Sequence, residues 1–240
     1  MMQFFSRRFS RRFSRLCPAA AVTVLLAACA ARAPLIQQQQ CYDPEAQLVA
    51  ALRELDARRA AGCDAAGGEA CLQARAAVER QLAICPVHVP TLMANAVLAY
   101  DERRPIVAQQ LLDQILSPPG THPDAAVLRA QIAIEEGNLP FARRLLEQQL
   151  KFAPDHAGLH ETSGALFYLT GQMTDARRQL TTALALGAPA WRVAYHLGLV
   201  AEALAFLEEA EKHYAEAVKG NPGWQPAQSR LRALRLTRAP

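Results

Sequence analysis

The chain has 240 residues, 51% of them hydrophobic, and a formal net charge of +4. Five arginines (Arg7, Arg8, Arg11, Arg12 and Arg15) precede residue 29 with no Asp or Glu among them, so the remainder stands near −1 and lacks the basic footprint of a nucleic-acid-binding protein. The length suits one to two ordinary domains, and an Ala- and Leu-rich composition poor in β-branched residues predicts helices throughout.

Residues 1–28 divide into a basic stretch and then an apolar one, from Leu16 to Ala28, interrupted by Pro18 and Thr23. That apolar run has the length of a signal-peptide core and falls short of the roughly 20 residues a bilayer span needs. It ends in Leu26-Ala27-Ala28-Cys29, which resembles the lipobox of bacterial lipoprotein signals. The resemblance implies cleavage before Cys29 and acylation of that residue, palmitate included. An ordinary cleaved signal with Cys29 incidental is the alternative. The Arg-Arg-Phe-Ser repeats invite a twin-arginine reading, but Ser10 and Ser14 interrupt the apolar residues that should follow. Ala30 lacks the aspartate that marks inner-membrane retention in enteric bacteria, so the resemblance favours the outer membrane, facing the periplasm, with the inner membrane as alternative. Residues 29–41 then form a short leash, roughly 20 Å as a coil.

In an oxidising compartment Cys41, Cys63, Cys71 and Cys85 are an even set. Tyr42 to Arg59 reads as an amphipathic helix bearing Leu48, Leu52 and Leu55. Glu69 to Ile84 reads as a second helix, with Leu72, Val78 and Leu82 apolar, after a Gly/Ala-rich loop. Four cysteines allow three pairings. An antiparallel hairpin over residues 42–86 would bring Cys41 to Cys85 at the open end and Cys63 to Cys71 at the loop end. The loop-entropy model gives the short bridge roughly 2.5 kcal/mol and the long one roughly 4. A metal site competes, but no CxxC pair or nearby His supports it.

Beyond residue 86 the sequence becomes periodic, one repeat being about 34 residues long. Ala130, Gly164 and Gly198 share one register, and Ala108, Ala142, Ala176 and Ala210 another. Pro86, Pro154 and Pro222 close repeats, with Gly120 and Ala188 at equivalent places, and Gly137 and Gly171 mark turns between helices. This pattern resembles the tetratricopeptide repeat (TPR) family over about Val89 to Trp224. Small residues let paired helices approach, and Leu180, Leu197 and Tyr214 fill the gaps. Arg103 and Ala205 depart from it by standing where a turn glycine is usual, and Pro105 opens a second helix, where proline is tolerated. A last helix from Pro226 is expected to turn Leu231, Leu234 and Leu236 inward and Arg230, Arg232, Arg235 and Arg238 outward as a solvated cap. The expected architecture is all-α: a TPR-like α-solenoid of antiparallel helix pairs with an N-terminal disulfide-stapled helical hairpin. Four repeats fill 87–224 and the capping helix 225–240.

Catalytic chemistry is not expected. His88, His122 and His156 recur one repeat apart, in the turn before successive first helices. Repeats about 10 Å apart cannot share one ion with bonds near 2 Å. His160, His196 and His213 are isolated on helices. No GxSxG, HExxH or phosphate-cradling loop occurs, and the adjacent pairs Glu135-Glu136 and Glu208-Glu209 diverge by about 100° on a helix. Neither an enzyme activity nor a cofactor or metal is therefore expected.

The TPR resemblance implies that the first helices line a concave groove. Carried over, its positions are Met93, Val97 and Tyr100; Val127, Gln131, Ile134 and Glu135; Glu161, Ala165, Tyr168 and Leu169; and Arg192, Tyr195, Leu199 and Glu202. Such a set suits an extended peptide or an amphipathic helix. Some of these side chains, Ile134 and Leu199 especially, have plain helix packing as the competing role. The Lys/Asn clamp of chaperone-binding TPR proteins is absent. The layout of lipobox, linker and repeats resembles pilotin-like type IV and Tad-type pilus-assembly lipoproteins. The resulting expectation is a membrane-anchored scaffold binding envelope proteins and serving assembly of a pilus, secretion or outer-membrane complex. Its alternative is an adaptor that recruits or regulates a cell-wall enzyme.

Overall fold

The computed structural model describes residues 69–117 and 121–238. Everything described lies within one compact unit. Cys29, the leash, the helix expected from Tyr42, and Cys41 and Cys63 lie outside the described residues, as does the side chain of Cys71. The expected pairing of the four cysteines therefore falls outside them too. Cys85 itself is buried and disulfide-bonded.

All regular structure among the described residues is helical: α1 (Glu69–Ile84), α2 (Val89–Asp101), α3 (Pro105–Leu116), α4 (Pro123–Glu135), α5 (Leu139–Phe152), α6 (Ala157–Leu169), α7 (Met173–Ala185), α8 (Ala190–Ala203), α9 (Leu207–Gly220) and α10 (Gln225–Arg238). Pairs α2–α3, α4–α5, α6–α7 and α8–α9 pack together, and each second helix also touches the next first helix. First helices meet directly at α4–α6 and α6–α8. None of the described helices is long and apolar enough to cross a membrane.

Local chemistry sets the helix ends. Proline stands in the first turn of α2, α3, α4 and α5, where its missing N–H is no loss. His88, His122 and His156 are the N-caps of α2, α4 and α6. The His156 Nδ1 accepts the Leu159 N–H at 3.2 Å, while His88 Nδ1 lies 2.6 Å from the Thr91 hydroxyl. Between paired helices the chain must turn left-handed. Gly137 and Gly171 do so at φ +78° and +77°. Arg103 and Ala205 take the same conformation at φ +60° and +61°, so the register persists without the glycine that would relieve it.

The core follows the register of the repeats. Thr91, Ala125, Leu159, Val193 and Ala227 are buried at one position, and Leu98, Ile132, Leu166, Val200 and Leu234 at another. Each large member contributes roughly 1.5–3 kcal/mol by leaving water. Two glycines permit the closest approaches. A Cβ on Gly164 would lie 2.7 Å from Leu180 Cγ, and one on Gly198 would lie 2.6 Å from Tyr214 Cε1.

Two expectations need correction. Helix α10 occupies the place of a further first helix, so Leu231 and Leu234 are buried but Leu236 is 71% exposed. Leu236 shares the register of Tyr100, Ile134, Tyr168 and Glu202, a half-buried position on the row of first helices. Leu72, expected on an apolar stripe with Val78, is 56% exposed while Val78 is fully buried. Arg230, Arg232 and Arg235 are exposed, as expected, and two of them also pair with the last repeat. Arg230 pairs with Glu202 at 3.2 Å and Arg235 with Glu211 at 2.9 Å, tying α10 to the last repeat.

Candidate partner-binding face

The first helices α2, α4, α6 and α8 stand side by side because each carries its buried positions in one register, which fixes what faces the other way. That row holds the groove residues expected from sequence. Met93, Val97 and Tyr100 pack against the core cluster of Leu92 and Leu112 and stay half-exposed. Val127 and Ile134 do the same beside Leu146 and Leu159, with Gln131 between them. Ala165 and Tyr168 are half-buried, and Leu169 is 51% exposed. In α8, Tyr195 and Leu199 lean on the cluster of Ala201, Ala210 and Tyr214. Ile134 and Leu199 thus divide their surface between packing and the row.

Three carboxylates punctuate this face, and each is already held. The Tyr100 hydroxyl donates to Glu135, joining α2 to α4. Glu161 is buried and is gripped by both Nε and Nη2 of Arg192, the second bond at 2.6 Å, joining α6 to α8. Glu202 accepts from the Tyr214 hydroxyl at 2.6 Å and from Arg230 at 3.2 Å, joining α8, α9 and α10. Such charge-assisted bonds turn row residues into cross-links between repeats.

These contacts displace ionisation. Burial, the Glu135 bond and its charge push the Tyr100 phenol up to about 12. The same causes, with Glu202 in place of Glu135, raise Tyr214 further. Burial opposes the charge of Arg230, but Glu202 and the phenols of Tyr214, Tyr195 and Tyr168 outweigh it and raise its pKa. His196 lies 3.9 Å from Glu161; burial lowers its pKa, Glu161 resisting and Arg192 assisting.

Tyr195 is less free than its sequence position suggests. Its ring meets Trp224 edge-on at 4.5 Å and Tyr214 at 5.8 Å, and Trp224 in turn meets Trp191 at 4.9 Å. Trp191, Tyr214, Trp224 and Arg230 are not among the groove residues expected from sequence. Sequence assigns Arg230 to solvent, although it shares a helix turn with Leu231, and only the repeat register of α10 could reveal its place. Among the described residues no three His, Cys, Asp or Glu side chains come together as a metal would require. The arrangement offers apolar and aromatic surface on which Glu161 and Glu202 are each paired with an arginine.

No protein-family model matches the chain, and no curated protein does. Solved structures do. A thermophilic TPR protein of Thermus thermophilus, TTC0263, superposes with a TM-score of 0.64 at 18% identity, covering 81% of this chain and all of the other. The Cut9–Hcn1 hetero-tetramer of the APC/C gives 0.69 at 14% identity over 85% of this chain and 39% of that chain. A tetratricopeptide repeat protein from Parabacteroides merdae gives 0.58 at 18% identity, covering 68% and 64%. At these identities the likeness concerns architecture, and in architecture the described part of this chain has the tetratricopeptide-repeat fold.

Proposed function

We propose that this protein is a non-catalytic scaffold that binds a segment of another envelope protein along the row of first helices. The observation that carries this reading is the row itself. Four helices in one register present Met93, Val97, Gln131, Tyr168 and Leu169 away from a core that does not need their outer surfaces. Aromatic and aliphatic side chains on a rigid frame are what peptide recognition uses. In this reading acylated Cys29 tethers the scaffold to the outer membrane, and the bridges Cys41–Cys85 and Cys63–Cys71 brace its first hairpin. A disulfide at Cys85 supports an oxidising compartment. Support for assembly of a pilus, secretion or outer-membrane complex is the role that this layout suits.

Exposed groove positions test the groove. Leu169→Arg with Gln131→Arg should abolish co-purification of the crosslinked envelope partner at unchanged helical content, and undiminished recovery would end the assignment. Tyr195 is a poor probe because its ring is packed between Trp224 and Tyr214. Metabolic labelling with an alkyne fatty acid should mark the wild-type chain and spare Cys29→Ser. Mass spectrometry of a non-reducing digest should recover the two proposed bridges, and any other pairing refutes the hairpin.

A further inference from the structure

Of the three carboxylates on the row of first helices, two are neutralised within the chain. Arg192 holds Glu161, and Arg230 holds Glu202. Glu135, the exposed last residue of α4, accepts instead from the Tyr100 hydroxyl. That bond satisfies the carboxylate without cancelling its charge. Burial and Glu135 itself push the phenol up to about 12, so it stays a neutral donor at physiological pH. Arg103, exposed on the turn between α2 and α3, acts on the phenol, yet no Arg, Lys or His among the described residues pairs with Glu135.

Helix stability does not ask for a negative charge at that place. The C-terminal end of a helix carries the negative end of its dipole and disfavours a carboxylate. Helix α4 has no basic residue in its last turn to offset this. Glu136, next in sequence, turns about 100° away toward the Gln109 amide on α3, and so leaves the row. The other row residues of α2 and α4 (Met93, Val97, Tyr100, Val127, Gln131 and Ile134) carry no charge. The row is therefore lopsided, with one uncancelled carboxylate at α4 and a compensated, apolar surface over α6 and α8.

We propose that the row takes an apolar segment bearing one lysine or arginine, whose cation meets Glu135 while its apolar side chains cover Tyr168, Leu169 and Leu199. The inference rests on the row being the binding face; it adds the charge the occupant carries and the way it lies. The basic end sits at α4 and the apolar end runs toward α8. Packed helices stand about 10 Å apart, a distance of about three residues in an extended segment or about seven in a helix. The basic residue therefore falls within about seven positions of the residue over Leu169. A carboxylate in its place would meet like charge. An exposed ion pair adds little affinity, so the contact orients a segment that apolar burial holds.

The test uses the full chain in its native envelope, with the photo-crosslinker p-benzoylphenylalanine in place of Leu169, which is 51% exposed. Mass spectrometry of the join should find a segment with Lys or Arg within that reach. Glu135→Gln keeps an acceptor for the Tyr100 hydroxyl and removes the charge, and should lower the crosslink yield about two- to fivefold. The yield with Glu135 intact should fall by a similar factor between about 0.1 M and about 1 M salt, where the screening length drops from about 10 Å to about 3 Å. In Glu135→Gln it should not fall, and a merely structural role of Glu135 would leave that salt response in place. Glu135→Arg should lower the yield at least tenfold, and changing the segment's own basic residue to Glu should restore it. A segment without Lys or Arg in reach, an unchanged yield in Glu135→Gln, or a charge exchange that fails to restore overturns the inference and leaves the groove standing. No capture from Leu169 at all would remove the binding face and this inference with it. The salt comparison decides even if Glu135→Arg does not fold.

Discussion

Gly198→Ala should destabilise the last repeat although it puts the best helix former in place of a poor one. The added Cβ would stand 2.6 Å from Tyr214 Cε1, 2.7 Å from Cδ1 and 3.1 Å from Cζ. Carbon atoms are comfortable at about 3.5–4.0 Å, so ring or helix must retreat by about 1 Å. The ring cannot rotate away. It has no accessible surface, its hydroxyl is held 2.6 Å from Glu202, and Tyr195 lies against it at 5.8 Å. Overpacking of a fixed partner stands at the upper end of the usual range, about 3 kcal/mol, and helix propensity returns about 1. The net loss is about 2 kcal/mol, or about 4–8 °C in Tm for a domain of this size. Thermal melts followed by circular dichroism at the helix band measure it. In a Tyr214→Leu background, where the ring is gone, the same substitution should become neutral or stabilising. An unchanged Tm for Gly198→Ala, or an equal loss in both backgrounds, would refute the close-approach argument.

Other perturbations probe different parts of the structure. Ala205→Gly should raise stability by about 0.5–1 kcal/mol, because φ +61° strains alanine and not glycine; a lower urea midpoint would contradict this. Arg192→Met leaves Glu161, at 6% exposure, without its cation and should destabilise by about 2–3 kcal/mol, less than a fully buried pair because Arg192 is partly exposed. Adding Glu161→Met should recover most of that loss, and failure to recover would show that the pair is worth more than its desolvation. His196 has a folded pKa below 6.5, so on acidification the unfolded chain takes up the proton first and stability falls with pH below about 6.5. The difference between urea midpoints at pH 7 and pH 5 should shrink in His196→Gln, and an unchanged difference would assign the acid sensitivity elsewhere.

The fold was largely legible because its determinants recur. Each repeat states its close approach, its buried apolar positions and its turn again in the next, and repetition distinguishes signal from accident. Even departures were informative: Arg103 and Ala205 were readable as misfits from register alone, and both carry the left-handed φ that the position imposes. Where repetition stops, legibility stops. Leu236 looks inward on an apolar stripe, because a leucine on an amphipathic helix ordinarily is. Its register with Tyr100, Ile134, Tyr168 and Glu202 assigns it to the half-buried row instead, and the register of α10 is the stronger constraint since it places Leu234 beside Tyr214.

The charges of the row show a second limit of sequence. Glu161, Glu202 and Arg192 were readable as row residues, and their partners were not. Pairing of Glu161 with Arg192 spans 31 residues, and that of Glu202 with Arg230 spans 28, so neither matches the repeat period and neither is an i,i+4 pair. Each depends on how far two neighbouring helices are rotated and offset, which is set by the packing of residues such as Gly198 and Tyr214 beneath them. The consequence reaches function. A row with Glu161 and Glu202 unpaired would attract a basic segment. With Glu161 and Glu202 each neutralised by an arginine, the α6–α8 half offers Tyr168, Leu169 and Leu199 without net charge. Affinity for a partner there should therefore rest on apolar burial and weaken little with salt, whereas a groove of unpaired acids would release its partner as ionic strength rises. Retention of the crosslinked partner through a wash at about 1 M salt, where the screening length falls to about 3 Å, separates the two.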